Sequence, residues 1–309
     1  MSVASNLSDF SLKQSWVTIG SFDGVHLGHQ SLIRQLAEGA HRDGALAVVI
    51  TFDPHPAVYF KRVSSANLLT SIEERENFLC SLGVDRVITL RFDASVANLS
   101  PLEFMQQMKQ HLGIVHLLAG MDFALGKNRA GTLEVLEQIG AEMGCTVDGI
   151  PPLTIDGQIV SSSQIRQFLQ SEQLEHANAW LGRPYRLGGQ VVHGEARGSR
   201  LGFPTANMQI SPERLIPSDG VYVTRALING QVFDSVTNIG TNPTFANELT
   251  SSRVEPHFLD VREDFYGHKL ELDFLEFLRP EIKFPNAQAL IDQINLDIQK
   301  AREVLTHDA

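Results

Sequence analysis

The segment Gly20-Ser21-Phe22-Asp23-Gly24-Val25-His26-Leu27-Gly28-His29 sets two imidazoles three residues apart behind a glycine-rich turn. Where such a segment leaves a strand and opens a helix, backbone N–H groups and the helix dipole converge on one point, which suits a phosphate. Gly20, Gly24 and Gly28 permit close backbone approach. His26 and His29 face one way at the helix start. Imidazoles placed there can donate to charge developing on a phosphoryl group without acting as a nucleophile. The pair also fits two metal ligands, although no third lies nearby in sequence, or two solvated side chains. The stretch Gly120…Gly126-Lys127-Asn128 is not a P-loop: one residue too many separates the glycines, and Asn replaces the magnesium-binding Ser or Thr.

Other chemistry-bearing residues fall at expected element ends. Thr51-Phe52-Asp53-Pro54-His55-Pro56 follows an apolar run, and its prolines make a stiff loop, either a plain turn or a wall for a flat ligand. Gly120-Met121-Asp122-Phe123 ends another run, with Arg129 downstream. Ser161-Ser162-Ser163-Gln164-Ile165-Arg166 opens a short helix. Its serines suit helix caps, and together with Arg166 they also suit a phosphate.

In the second half, His193-Gly194-Glu195-Ala196-Arg197-Gly198-Ser199-Arg200-Leu201-Gly202-Phe203-Pro204-Thr205-Ala206-Asn207 is dense in glycine and ends on polar residues. It reads as a flap over phosphates or as a polar turn. Thr205 and Asn207, two apart, share one face of an extended segment and offer hard oxygen donors that Mg²⁺ accepts. Glu255 stands inside an apolar run, either paired structurally or placed as a general base.

Positioning these residues requires two kinds of architecture. Apolar runs at 16–20, 45–51, 86–90, 115–120 and 145–150 alternate with amphipathic stretches at 27–41, 71–82, 101–112 and 132–143. That alternation predicts a parallel sheet with helices on both faces. The helix over 71–82 follows Thr70 and carries Glu73, Glu74 and Glu76 early, as the helix dipole prefers. A helical stretch over 170–181 precedes the change in character, and a domain boundary falls near 174–182. Short strands then follow at 220–227, 231–238, 254–260 and 269–278. Asn229-Gly230 makes a hairpin turn between the first two, and a helix over 286–304 ends the chain. This pattern predicts a small antiparallel barrel with a terminal helix.

The 309 residues suit two domains, and 43% hydrophobic with 20% charged residues is ordinary globular composition. A net charge of −11 argues against nucleic acid or an anionic membrane as partner. Cys80 and Cys145 belong to no Cys/His cluster, so a structural zinc is not expected. No apolar run reaches membrane-span length, and the first residues do not read as a secretory signal. A cytoplasmic protein is expected.

The order GSFDGVHLGH, TFDPHP, GMDFALGKNRAG, SSSQIR resembles the adenylyltransferase module of the bacterial bifunctional riboflavin kinase/FAD synthetase family. The strings LGRPY, VVHGEARGSRLGFPTAN, PSDGVYV, NIGTNPTF, VEPHFLD and FYGHKLELDFLEFLRPEIKF resemble its riboflavin kinase module. The resemblance implies a Rossmann-like nucleotidyltransferase domain over residues 1–180 and a β-barrel kinase domain over 181–309. It implies ATP and Mg²⁺, riboflavin phosphorylated to FMN, and FMN adenylylated to FAD with release of pyrophosphate. By the same match His26 and His29 hold the ATP phosphates and the transition state, with Ser162 and Arg166 acting from the opposite side. Gly20, Phe22, Asp23, Gly24 and Gly28 line the nucleotide, and Asp122 helps form the nucleotide and magnesium site. Pro54, Pro56 and Phe60 border the flavin. In the kinase module Gly202 and Pro204 meet nucleotide, Thr205 and Asn207 bind its magnesium, and Glu255 is the base for the ribityl 5′-hydroxyl.

The chain departs from the family pattern where Leu125 replaces an aromatic in GxDFxFG, which implies weaker stacking on isoalloxazine. Ser199 stands where arginine is frequent, and Ala246 where glycine is. The alternatives are a riboflavin kinase whose first module only binds or regulates, a flavin or nucleotide sensor without catalysis, and a tRNA-linked adenylyltransferase. The acidic charge and the second module fit the last of these poorly.

Overall fold

A strand buried on both faces must be covered by helices from both sides. The computed structural model describes residues 3–4, 6–61, 67–193, 202–241, 252–261, 263 and 265–307. The chain divides into two compact units, Met1–Ser162 and Ser163–Ala309.

The first unit runs through β1 (Ser15–Ile19), α1 (Leu27–Arg42), β2 (Leu46–Asp53), α2 (Pro56–Tyr59) and α3 (Ile72–Ser81). It continues through β3 (Arg86–Arg91), α4 (Ala94–Ala97), α5 (Pro101–Leu112), β4 (Ile114–Gly120) and β5 (Ala124–Leu125). It ends with β6 (Gly131–Thr132), α6 (Leu133–Met143), β7 (Thr146–Ile150), β8 (Thr154–Ile155) and β9 (Gln158–Ile159). The main sheet is parallel in the order β3-β2-β1-β4-β7.

Alternation along the strands feeds two cores. Val17, Ile19, Val48 and Ile50 face Phe104, Met105 and Met108 of α5 and Leu136 of α6. Trp16, Ala47 and Val49 face Leu32, Ile33 and Leu36 of α1 and Leu79 of α3. The predicted sheet with helices on both faces is therefore present. Helix α3 starts one residue later than its pattern suggests, because Ser71 is its cap. The Ser71 hydroxyl accepts from Glu74 N–H, and the Glu74 carboxylate accepts from Ser71 N–H.

The second unit takes up α7 (Ser162–Gln170), which opens at the division, and α8 (Leu174–Leu181). Glu172 at φ 62° breaks the helical stretch read across 170–181. The sequence places the domain boundary at 180/181, yet the compact units divide after Ser162. The reason is that α8 packs with the barrel: Asn178 Nδ2 donates to Phe274 O (2.8 Å), and Tyr185 N–H donates to Asn178 Oδ1 (2.8 Å).

There follow β10 (Tyr185–Val192), β11 (Asn207–Ile210), β12 (Gly220–Ile228), β13 (Gln231–Thr241), β14 (Ser252–Phe258), β15 (Lys269–Arg279) and α9 (Ala287–His307). The strands close an antiparallel barrel in the order β10-β11-β14-β13-β12-β15, with β15 returning to β10. Asn229 (φ 51°) and Gly230 (φ 81°) make the predicted hairpin turn between β12 and β13. Strand β10 is invisible to a pattern search because glycines interrupt its alternation, and β11 is only four residues long. A Cβ on Gly189 would stand 2.7 Å from Gln209 O, so the two backbones require glycine there.

The barrel interior holds Tyr222, Phe274, Val254 and Ile239, with a ladder of buried hydroxyls. Thr224 Oγ1 lies 2.8 Å from Ser235 Oγ and 2.7 Å from Thr237 Oγ1. On the outer face, α9 covers Val221, Val223 and Val236 with Ala301 and Leu305. Arg279 pins that helix through a two-pronged pair with Asp297, Nη2 to Oδ2 2.7 Å.

Candidate active sites

Strand β1 lies between β2 and β4, so the strand order reverses on either side of it. Loops leaving neighbouring carboxyl ends part at such a point and open a crevice for a ligand. Residues 20–26 leave β1 there, and residues 121–123 leave β4 beside them.

The turn after β1 is held open against its own preferences. Phe22 (φ 47°) and Val25 (φ 40°) occupy the left-handed region, which costs on the order of 1–3 kcal/mol each. Hydrogen bonds compensate. The buried Asp23 carboxylate accepts from Leu69 N–H (3.0 Å), Thr70 N–H (3.1 Å) and the Thr70 hydroxyl (3.1 Å). That hydroxyl accepts from Gly24 N–H (3.1 Å), and Gly20 N–H donates to Ile50 O (3.0 Å). The Asp23 side chain, expected to meet nucleotide, is thus a brace between the turn and the start of α3.

His26 caps α1, its Nδ1 accepting from His29 N–H at 3.3 Å. Accepting at Nδ1 puts its proton on Nε2. The two rings stack at 3.6 Å between centroids, and a Cβ on Gly28 would stand 3.2 Å from the His26 ring. Burial, then the His26 ring, then Arg75 hold His29 well below the usual histidine range, so its imidazole is uncharged at neutral pH. The edge of Phe22 packs on it at 5.2 Å. Solvated histidines are excluded by this packing. Among the described residues no group of three or more His, Cys, Asp or Glu comes together that could hold a metal.

The hydroxyl of Ser162, the last residue of the first unit, donates to Asp23 O (2.8 Å) and so stands at the same turn. Arg166 follows one helical turn on, in the second unit.

At the end of β2, His55 caps α2 through Nδ1 to Ala57 N–H (3.0 Å), with Pro56 at the first helical position. Pro56 opens the short helix that ends at Tyr59, beside an aromatic group that the sequence only half reveals. Tyr59, Phe60 and Phe92 lie edge to face at 5.2–5.7 Å, Phe60 being 49% exposed. Phe92 arrives from the end of β3, so only the sheet order brings it there.

Asp122 is exposed after β4, and its carbonyl accepts from Arg129 Nη2 (2.9 Å). The expectation for Leu125 is corrected: it is 5% exposed and packs into the core under α5. Its side chain does not face a flat ligand, so its replacement of an aromatic does not weaken stacking. Leu125→Phe is expected to overpack that core and cost about 1–3 kcal/mol of stability. Thermal unfolding measures it, and an unchanged midpoint would contradict the packing.

On the barrel, strand register assembles the second site. Met208 pairs with Val254, and Ala206 N–H donates to Pro256 O (2.9 Å). Asn207 therefore stands opposite Glu255, and Thr205 opposite His257. Paired residues point the same way. Val254 and Phe258 point inward, so Thr205, Asn207, Glu255 and His257 share the outer face. Asn238 joins them from β13, opposite Glu255, and its Nδ2 donates to Glu281 Oε1 (3.1 Å). His257 Nδ1 lies 2.8 Å from Pro204 O and holds the segment carrying Thr205. Gly202 (φ 91°) is exposed before it. Residues 194–201, including Ser199, and the NPTF string with Ala246 lie outside the described residues. Neither Asn238 nor His257 stands in a spacing that signals chemistry.

A FAD synthetase family model matches residues 9–164, and a riboflavin kinase family model matches residues 181–305. The bifunctional riboflavin kinase/FMN adenylyltransferase of Listeria monocytogenes is 36% identical over 287 residues, covering 93% of this chain and 91% of that protein. That of Escherichia coli K12 is 34% identical over 300 residues, covering 96% and 95%. A Streptococcus pneumoniae crystal structure, described as a macrolide-efflux protein, matches with a TM-score of 0.89 at 30% identity over 97% of each chain. Among the described residues of this chain, no helix is long and apolar enough to cross a membrane. A family model fits each half, and relatives share about a third of their residues nearly end to end, so the chain belongs to the bifunctional riboflavin kinase/FMN adenylyltransferase family.

Proposed function

We propose that the barrel phosphorylates riboflavin with ATP to FMN and that the parallel-sheet unit, with α7, transfers AMP from a second ATP to FMN. The observation that carries this reading is that each half holds its own constellation. One is the imidazole pair at the strand-order reversal; the other is the Thr205, Asn207, Glu255 face of the barrel. The kinase family match, which begins at residue 181, supports a division of labour at 180/181.

In the barrel, Thr205, Asn207 and Glu255 offer hard oxygens on one face, which fits Mg²⁺. Thr205 and Asn207 would hold it, and when bound it neutralises charge on the ATP phosphates. Glu255 takes the proton of the ribityl 5′-hydroxyl as that oxygen bonds to the γ-phosphorus and ADP leaves. Gly202 and Pro204 lie along the nucleotide.

In the first unit, an FMN phosphate oxygen bonds to the α-phosphorus of ATP and pyrophosphate leaves. No proton needs to be removed from the attacking anion. His26 and His29, with the N-terminus of α1, stabilise the charge on the transferring phosphate. Ser162 and Arg166 serve the phosphates, Asp122 the nucleotide and its magnesium, and Gly20, Gly24 and Gly28 let the backbone approach. Pro54, Pro56 and Phe60 hold the isoalloxazine against the Tyr59–Phe92 aromatics. Both reactions consume ATP, which supports a cytoplasmic enzyme.

Incubation with riboflavin, ATP and Mg²⁺, followed by chromatography of the flavins over time, tests the reading. FMN is expected first and FAD after it. FMN that never becomes FAD would leave a kinase alone, and the buried Leu125 removes the feature that favoured that alternative. Flavin bound without any turnover would leave a sensor.

A further inference from the structure

A buried guanidinium must be held by acceptors or it destabilises the fold. Arg75 is 2% exposed on the first turns of α3, and nothing in its sequence context marks it. Its Nη1 donates to Ser21 O at 2.7 Å, the carbonyl that also accepts from the Thr51 hydroxyl at 3.2 Å. A trans peptide is planar, so fixing the Ser21 carbonyl turns the N–H of Phe22 to the opposite side of that peptide. Phe22 is one of the two strained residues of the turn, and its ring packs on His29.

We propose that Arg75 is a positioning residue for adenylyl transfer. From α3 it locks the Ser21–Phe22 peptide of the phosphate turn and sets a permanent positive charge beside the His26–His29 pair. The inference rests on the reading that this turn carries the adenylylation of FMN.

His26 and His29 come from the start of α1, Asp23 from the turn, Asp53 from β2, and Arg75 and Glu76 from α3. The Asp23 carboxylate is engaged by the 69–70 backbone, and the Glu76 carboxylate by the Thr89 hydroxyl (2.5 Å). Among the described residues, Arg75 Nε and His29 Nδ1 are buried with no hydrogen-bond partner. The Arg75 cation opposes protonation of the His29 ring. The uncharged pair is the working one, because protonating His26 at Nδ1 would break the cap on α1.

The test compares wild type, Arg75→Met and Arg75→Lys in the full chain. FMN-to-FAD conversion is followed across pH with kcat and KM for ATP separated, and riboflavin phosphorylation is measured in the same preparations. Arg75→Met is expected to lower kcat for FAD formation about 10²-fold, the scale of a misplaced reacting group. It should also move the acid limb of the pH profile to higher pH, and Arg75→Lys should restore most of both. Riboflavin phosphorylation should not change. Loss of FAD formation with an unmoved acid limb and no rescue by lysine would reduce Arg75 to a structural part and overturn the proposal. FAD formation at the wild-type rate in Arg75→Met would overturn it as well. A wild type that makes FMN but no FAD would instead remove the underlying reading and the proposal with it.

Discussion

Glu255→Gln lowers riboflavin phosphorylation by about 10²–10⁴-fold, the contribution of a positioned general base, while FMN adenylylation continues unchanged. The substitution keeps the shape of the side chain and its capacity to accept hydrogen bonds, so β14 should hold its register between β11 and β13. What is lost is the ability to take the 5′-hydroxyl proton. Supplying FMN directly bypasses the lesion, and FAD should then appear at the wild-type rate. Separated flavins measured from each starting substrate decide the matter. Phosphorylation that survives the change would mean that Glu255 is only a paired carboxylate on the barrel face. Loss of both activities in a folded protein would mean that the two sites are not separate.

The converse holds for His29. His29→Ala removes one face of the stacked pair and is expected to lower FAD formation by roughly 10²–10³-fold, as loss of a preorganised donor does in other sites. The cap on α1 survives, because His26 Nδ1 accepts from the backbone N–H of residue 29 and not from its ring. Riboflavin should still be converted to FMN, which then accumulates. A variant that still makes FAD at the wild-type rate would take His29 out of the transition state and leave it as packing for Phe22.

A large part of this was legible without coordinates, for physical reasons. The apolar runs of the first half are buried on both faces, and their alternation with amphipathic stretches admits little besides a parallel sheet covered by helices. Asn229-Gly230 between two strand-like runs forces a tight hairpin because both residues tolerate positive φ. His-x-x-His after a glycine-rich strand exit suits a phosphate because the backbone donors there come from local geometry. Thr205 and Asn207 share a face in any extended segment.

Tertiary structure decided the rest. The order β3-β2-β1-β4-β7 puts the turn after β1 at the reversal and brings Phe92 to Tyr59 and Phe60. Sheet order depends on long-range pairing that local patterns do not encode. Barrel closure hid in the glycines of β10, which cancel the alternation a strand would show. Leu125 could be read as a ligand-facing residue until its two-residue strand turned it under α5. Asp23 looked like a site residue, but its carboxylate is consumed by the backbone at 69–70, more than forty positions away. Arg75 carried no signal at all, because a lone arginine among glutamates reads as helix surface. Only the packing of α3 against the turn after β1 buried it. The sequence alone determined which groups were available for chemistry, since that depends on residue type and near spacing. Which of them face a substrate and which face the protein depended on contacts between distant segments, and only the folded chain set those.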